Sequence, residues 1–218
     1  MSQAASPTAA LAGIPAGIQA QGVWAGRRQL FIRFAAEAET ATMYTADATA
    51  NEVRRTVSRS VFHSIAIAGR DPLANIPYLC AAFERIGQGL PVMLDSDGQR
   101  PDEIDEVKSF VRLVQVTMDG LAGEPQTDRA FQSLQAASAS GLEHALVLGA
   151  DERTTDAVLL RNIERAHGVS DRTVIILHPG AGTPVDRDRR WINLSERASS
   201  LHGDVRVVLR LPPPTGMR

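Results

Sequence analysis

Apolar and polar positions along this chain fall into short blocks that alternate between two periods. QLFIRF (29–34), HSIAIAG (63–69), LPVMLDS (90–96), LVQVTMD (113–119), HALVLGA (144–150), TVIILHP (173–179) and DVRVVLRL (204–211) are compact apolar runs. Such runs suit strands buried on both faces of a parallel sheet. The segments between them predict helices over 49–60, 73–87, 101–110, 128–139 and 153–166, and a last one near 193–201. The first has Thr49 or Asn51 as its N-cap and Val53 and Val57 at i, i+4 spacing, and Pro101 opens the third. Strands alternating with helices at this spacing imply right-handed crossovers and a parallel sheet. Six or seven such units make an open or partial (βα)6-type barrel, short of the eight of a complete one. The expected organisation is a single α/β domain over 17–218, preceded by a flexible arm (1–16) rich in Ala, Ser and Pro.

Composition narrows the functional classes. A net charge near −2 and 5% aromatic residues give no electrostatic footprint for nucleic acid. No stretch approaches the roughly 18 apolar residues that span a bilayer, and the N-terminus lacks the pattern of a signal peptide, so a cytoplasmic location is expected. Cys80 is the single cysteine and lies in a segment of helical spacing, where a small buried residue is its ordinary role. One cysteine excludes an intrachain disulfide and a self-contained cysteine-ligated cluster. The five histidines show no metal-ligand spacing. His178, at a strand end before Pro179, has the best position for chemistry.

In folds of this kind, function gathers in the loops after the carboxyl ends of the strands. The stretch IQAQGVWAGRRQLFIRFA (18–35) resembles the opening of 7-carboxy-7-deazaguanine synthase, a small radical S-adenosylmethionine (SAM) enzyme of the 7-deazapurine pathway. AGRDPL (68–73) stands where that family has TGGEPL, and LDSDGQ (94–99) where it has its third-strand motif. IILHP (175–179) matches a family strand end, and VRVVLRLPPPTGMR (205–218) aligns with the family terminus. The resemblance implies the radical SAM partial barrel and a homodimer, or a heterodimer with a related synthase. It also implies a pterin-like ring facing Gln19 and a substrate carboxylate received by Arg33.

The departures bear on chemistry. The three cluster cysteines align with Glu37, Ala41 and Tyr44, or with Ala38, Thr42 and Thr45 in the shifted register. None is a thiolate, and oxygen donors substitute poorly for sulfur. Arg70 and Asp71 replace the glycine and glutamate expected near the SAM amino-acid end. Asp95 and Asp97 replace the Glu and Asn of the third-strand motif. Thr117, Met118 and Asp119 replace Ser-Pro-Lys, Gln21 replaces a glutamate, and the substrate-facing His is absent at 210–213. The magnesium-linked Thr falls on Ala46 or Asp47. The expectation is a protein without a [4Fe–4S] cluster, SAM or Mg²⁺, keeping Gln19, Gln21, Arg33, Arg70, Asp71, Asp95, Asp119 and His178 as a candidate pocket. It would bind a pterin- or purine-like ligand or a partner protein. New non-radical chemistry in the inherited pocket, or a structural role in a dimeric synthase, are the alternatives. Arg33 could equally pair with Glu37, Asp47 or Asp71 inside a remodelled mouth.

Overall fold

The structure is a computed structural model that describes residues 6–180, 183 and 185–209. A ten-stranded, mostly parallel sheet runs through the chain. Its strands are β1 (Thr8–Gly13), β2 (Ala16–Ile18), β3 (Arg28–Phe34), β4 (Thr42–Thr45), β5 (Ser64–Gly69), β6 (Val92–Ser96), β7 (Leu113–Asp119), β8 (Glu143–Ala150), β9 (Val174–Pro179) and β10 (Val205–Val207). The spatial order is β10-β9-β8-β7-β6-β5-β3-β1-β4. Every neighbouring pair from β3 to β10 is parallel, and β1, β2 and β4 add antiparallel pairs at the β3 side.

Five helices are α1 (Ala46–Val57), α2 (Ile76–Ile86), α3 (Glu124–Ala139), α4 (Asp156–Val169) and α5 (Arg189–Leu201). The α1 N-cap is Thr45, whose hydroxyl accepts from the Ala48 amide at 3.1 Å, so Thr49 and Asn51 lie inside the helix instead of capping it. Thr155 and Asp188 cap α4 and α5 in the same way. Helix α2 buries Tyr78, Leu79, Ala82 and Phe83, a stripe at helical spacing. Strand residues alternate against these stripes: Ile65, Ile67, Leu94, Val114, Val116, Leu146, Leu148, Ile175 and Leu177 join one core with the helices. Each such large side chain contributes about 1.5–3 kcal/mol by leaving water.

The opposite face of the sheet is filled differently. Ala66, Met93, Leu113 and Ala145 form a smaller cluster against Val23 and Trp24. These two come from the loop between β2 and β3, which folds over the amino-terminal half of that face. Gly22 lets it do so. Its φ is +84°, and a Cβ there would stand 1.8 Å from Gln115 Oε1.

Three expectations are corrected. The segment expected as a flexible arm contains β1, which buries Ala9 and Leu11 and pairs with both β3 and β4. The expected helix 101–110 is two 3₁₀ turns, Pro101–Glu103 and Asp105–Val107. Its apolar residues, Ile104, Val107 and Phe110, recur every three positions, and the three-residue turn stacks them on one side. The last strand ends at Val207 instead of running to 211, and 210–218, which carry much of the terminal resemblance, lie outside the described residues. Among the described residues no helix is long and apolar enough to cross a membrane.

Candidate functional site

The carboxyl ends of the parallel strands carry two polar groupings. The first lies on the loops after β3, β5 and β6. The loop after β3 is short, because the chain returns to the sheet as β4 at Thr42. Arg33, near the end of β3, donates to Glu39 Oε1 in that loop, and Glu39 Oε2 accepts from the Ala36 amide at 3.0 Å. Arg70 Nη2 stands 2.9 Å from Glu37 Oε1. Asp71 holds Arg100 through two contacts, at 2.5 and 2.7 Å. Its backbone is left-handed, with φ 44°. That hydrogen-bonded carboxylate raises the Arg100 guanidinium above its ordinary pKa. Arg33 therefore pairs with none of Glu37, Asp47 and Asp71. Asp47 pairs with Arg85 instead.

This loop does not fit an iron–sulfur cluster. Glu37 is engaged by Arg70, and Tyr44 sits on β4 opposite Ala9. Cys80 is on α2 with Sγ 3.8 Å from the Glu106 carbonyl, and burial raises its thiol pKa, with Glu106 adding to the effect. Among the described residues no three His, Cys, Asp or Glu side chains are grouped to hold a metal ion.

The second grouping is a cavity of about 420 Å³ at the ends of β7, β8 and β9. That volume falls in the usual range for small-ligand sites. Gln21 reaches it from the β2–β3 loop, Gln126 from α3, and Thr117, Asp119, Gly149 and His178 from the strands. The register sets Asp119, Gly149 and His178 in one row across three strands. His178 is 6% exposed, whereas Asp119 is exposed and uses Oδ1 to accept from the Leu121 amide at 2.7 Å. Asp151 stands at the rim, where desolvation by itself would raise its carboxyl pKa. Hydrogen bonds from Arg153 and Thr154 outweigh this and lower its pKa.

A polar layer lies deeper on the same face. Thr117 Oγ1 donates to Asp95 Oδ1 at 2.9 Å, and Asp95 pairs in register with Gln115. Gln115 is fully buried. Its Oε1 accepts from the Val23 amide at 3.0 Å, and its Nε2 has no hydrogen-bond partner among the described residues. Such a donor left unsatisfied costs about 1–3 kcal/mol. Gln19 is 4% exposed, at the base of the same loop.

No protein-family profile matches the chain, and no curated protein matches it. Among solved structures, a truncated form of 3-deoxy-D-arabino-heptulosonate 7-phosphate synthase from Thermotoga maritima superposes with a TM-score of 0.38. It is 14% identical over 79% of this chain and 72% of that one. The apo crystal structure of 3-keto-D-glucoside 4-epimerase from E. coli gives a TM-score of 0.35 and 15% identity over 78% and 88%. Agreement at this level assigns neither a fold family nor an activity.

The structure thus gathers Gln21, Asp119 and His178 around one cavity and sets Asp95 beside Thr117 below it. It leaves Arg33, Arg70 and Asp71 in ion pairs at and beyond the ends of β3 and β5. Gln115, Gln126 and Gly149 were not anticipated. Gln115 had a signal, since LVQVTMD carries a glutamine inside an otherwise apolar strand. Gln126 and Gly149 had none.

Proposed function

We propose that the chain is a cluster-less relative of 7-carboxy-7-deazaguanine synthase that binds a pterin- or purine-like ligand without radical SAM turnover. In this reading the sheet and its helices form a partial barrel of the radical SAM kind. The ligand occupies the cavity at the ends of β7, β8 and β9. The observation that carries the reading is the contrast between the two groupings. Around the old cluster loop, carboxylates and guanidiniums neutralise one another, whereas the cavity keeps amide, hydroxyl, carboxylate and imidazole groups lining an open volume.

The lining suits a fused heterocycle. A pterin or guanine edge presents ring and exocyclic N–H donors beside a carbonyl acceptor. The Asp119 carboxylate accepts such donors, and the amides of Gln21 and Gln126 serve either role. Thr117 adds a hydroxyl at the floor.

The test is anaerobic reconstitution with iron and sulfide, followed by iron analysis and assay of SAM cleavage. The reading expects iron well below cluster stoichiometry and no 5′-deoxyadenosine. A stoichiometric cluster that cleaves SAM would overturn it.

A further inference from the structure

Three glycines meet the cavity region at the ends of adjacent strands, and the fold treats them differently. Gly120 follows β7. A Cβ there would lie 2.8 Å from Thr154 Cγ2 and 2.9 Å from the Gly149 carbonyl oxygen, so close packing requires glycine. Gly149, within β8, is under no such constraint. An added Cβ would find Met118 O at 3.7 Å and the Asp119 Cα at 3.8 Å, both ordinary contacts. Gly180, just past β9, is equally open, with Ala150 O at 3.6 Å and Thr183 Oγ1 at 3.8 Å. Neither Gly149 nor Gly180 has a positive φ. Both line the cavity.

Among the described residues, neither backbone conformation nor packing asks for glycine at 149 or 180. Their one shared consequence is a stretch of cavity wall made of bare peptide. We propose that Gly149 and Gly180 form a backbone shelf that takes the flat face of an aromatic bicyclic heterocycle. The proposal rests on the ligand-binding reading above and adds which surface receives the ring, and in what orientation.

The register supports the orientation. Asp119 and His178 flank Gly149 on its two neighbouring strands. Strands lie about 4.8 Å apart, so these two side chains stand about 10 Å from each other across the shelf. A fused two-ring system laid over Gly149 reaches from one to the other, its edges meeting the carboxylate and the imidazole. Its face meets peptide planes with no intervening Cβ, which maximises dispersion contact for a flat ligand. A puckered sugar or polyol gains little from such a wall, because the peptide groups under it already bond within the ladder. Gly120 N donates to Gly149 O, and Gly180 N to Ala150 O, each at 2.8 Å.

The test titrates the whole chain with 6-carboxypterin, following its fluorescence, with myo-inositol as a non-planar control. Gly149→Val and Gly180→Val fill the shelf, Gly149→Ala fills it partly, and circular dichroism with urea unfolding checks the fold of each variant. The expected result is a loss of pterin affinity of about tenfold or more in Gly149→Val, from overpacking, with an unfolding midpoint near that of wild type. Gly149→Ala falls between them and keeps the proposal testable if valine proves too large for the strand. Undiminished pterin binding in folded Gly149→Val and Gly180→Val overturns the shelf and leaves the ligand-binding reading standing. No pterin binding by the wild-type chain overturns both, and inositol binding as tight as pterin overturns the planar class.

Discussion

Arg70 Nη2 lies 2.9 Å from Glu37 Oε1, which ties the loop after β5 to the loop after β3. Both side chains are more than half exposed, so the pair contributes about 1 kcal/mol or less. Glu37→Gln is expected to shift urea-derived stability by no more than that. Asp71→Asn, which weakens the two-contact hold on Arg100, is expected to cost about 1–2 kcal/mol, discounted because both partners are about 40% exposed. Equal effects of the two substitutions would contradict this ranking.

Cysteines placed at 37, 41 and 44 are not expected to create an iron–sulfur cluster site. Tyr44 is held in the β4 ladder opposite Ala9, and Glu37 lies in a turn and pairs with Arg70. The combined Glu37→Cys, Ala41→Cys and Tyr44→Cys variant should take up iron well below the four per chain of a [4Fe–4S] cluster. Full occupancy after anaerobic reconstitution would show that the loop can adopt a cluster-binding geometry.

Gly22 and Gln115 act as one joint. A side chain at 22 would collide with Gln115 and require a left-handed backbone, so Gly22→Ala should cost on the order of 2–4 kcal/mol. It should also loosen Val23 and Trp24 from the sheet. Thermal unfolding measures the cost, and the Trp24 emission maximum reports the loosening. A wild-type melting curve would refute the joint.

His63 provides a pH-dependent increment. Burial lowers its pKa below the ordinary 6.5, and Arg27 and Arg112 lower it further. The native state thus binds its proton less readily than the unfolded chain. Stability from this group is fully present above pH 6.5 and is lost as pH falls from there through the lower native pKa. Urea denaturation of His63→Gln should show a shallower decline over this window than wild type. Parallel curves would remove His63 from the account.

The strand–helix alternation was legible because parallel strands read as continuous apolar runs, as SIAIAG and VIILHP do. The β1 strand was hidden by its composition. TAALAG presents small residues to both faces, so alternation carries almost no polarity contrast. The 101–110 segment misled because Ile104 and Val107 fit an α-helical i, i+3 pair as well as a 3₁₀ repeat. Asp119 and His178 stand at the ends of apolar runs that read as strands, whereas Gln21 reaches the same cavity from the β2–β3 loop. The ion pairs of Arg33, Arg70 and Asp71 depend on how separate loops meet, which spacing along one chain does not encode. The open wall at Gly149 was equally invisible, since a strand glycine reads the same whether packing or a cavity lies beside it.

On the proposed function, this fold binds a pterin- or purine-like ligand without an iron–sulfur cluster. Equilibrium titration of the iron-free chain with 6-carboxypterin under anaerobic conditions, in the absence of SAM, tests it directly. Saturable binding at one ligand per chain, weakened by Thr117→Val and by His178→Ala, is the predicted result. No binding without the cluster, with binding and SAM cleavage appearing together after reconstitution, would contradict it.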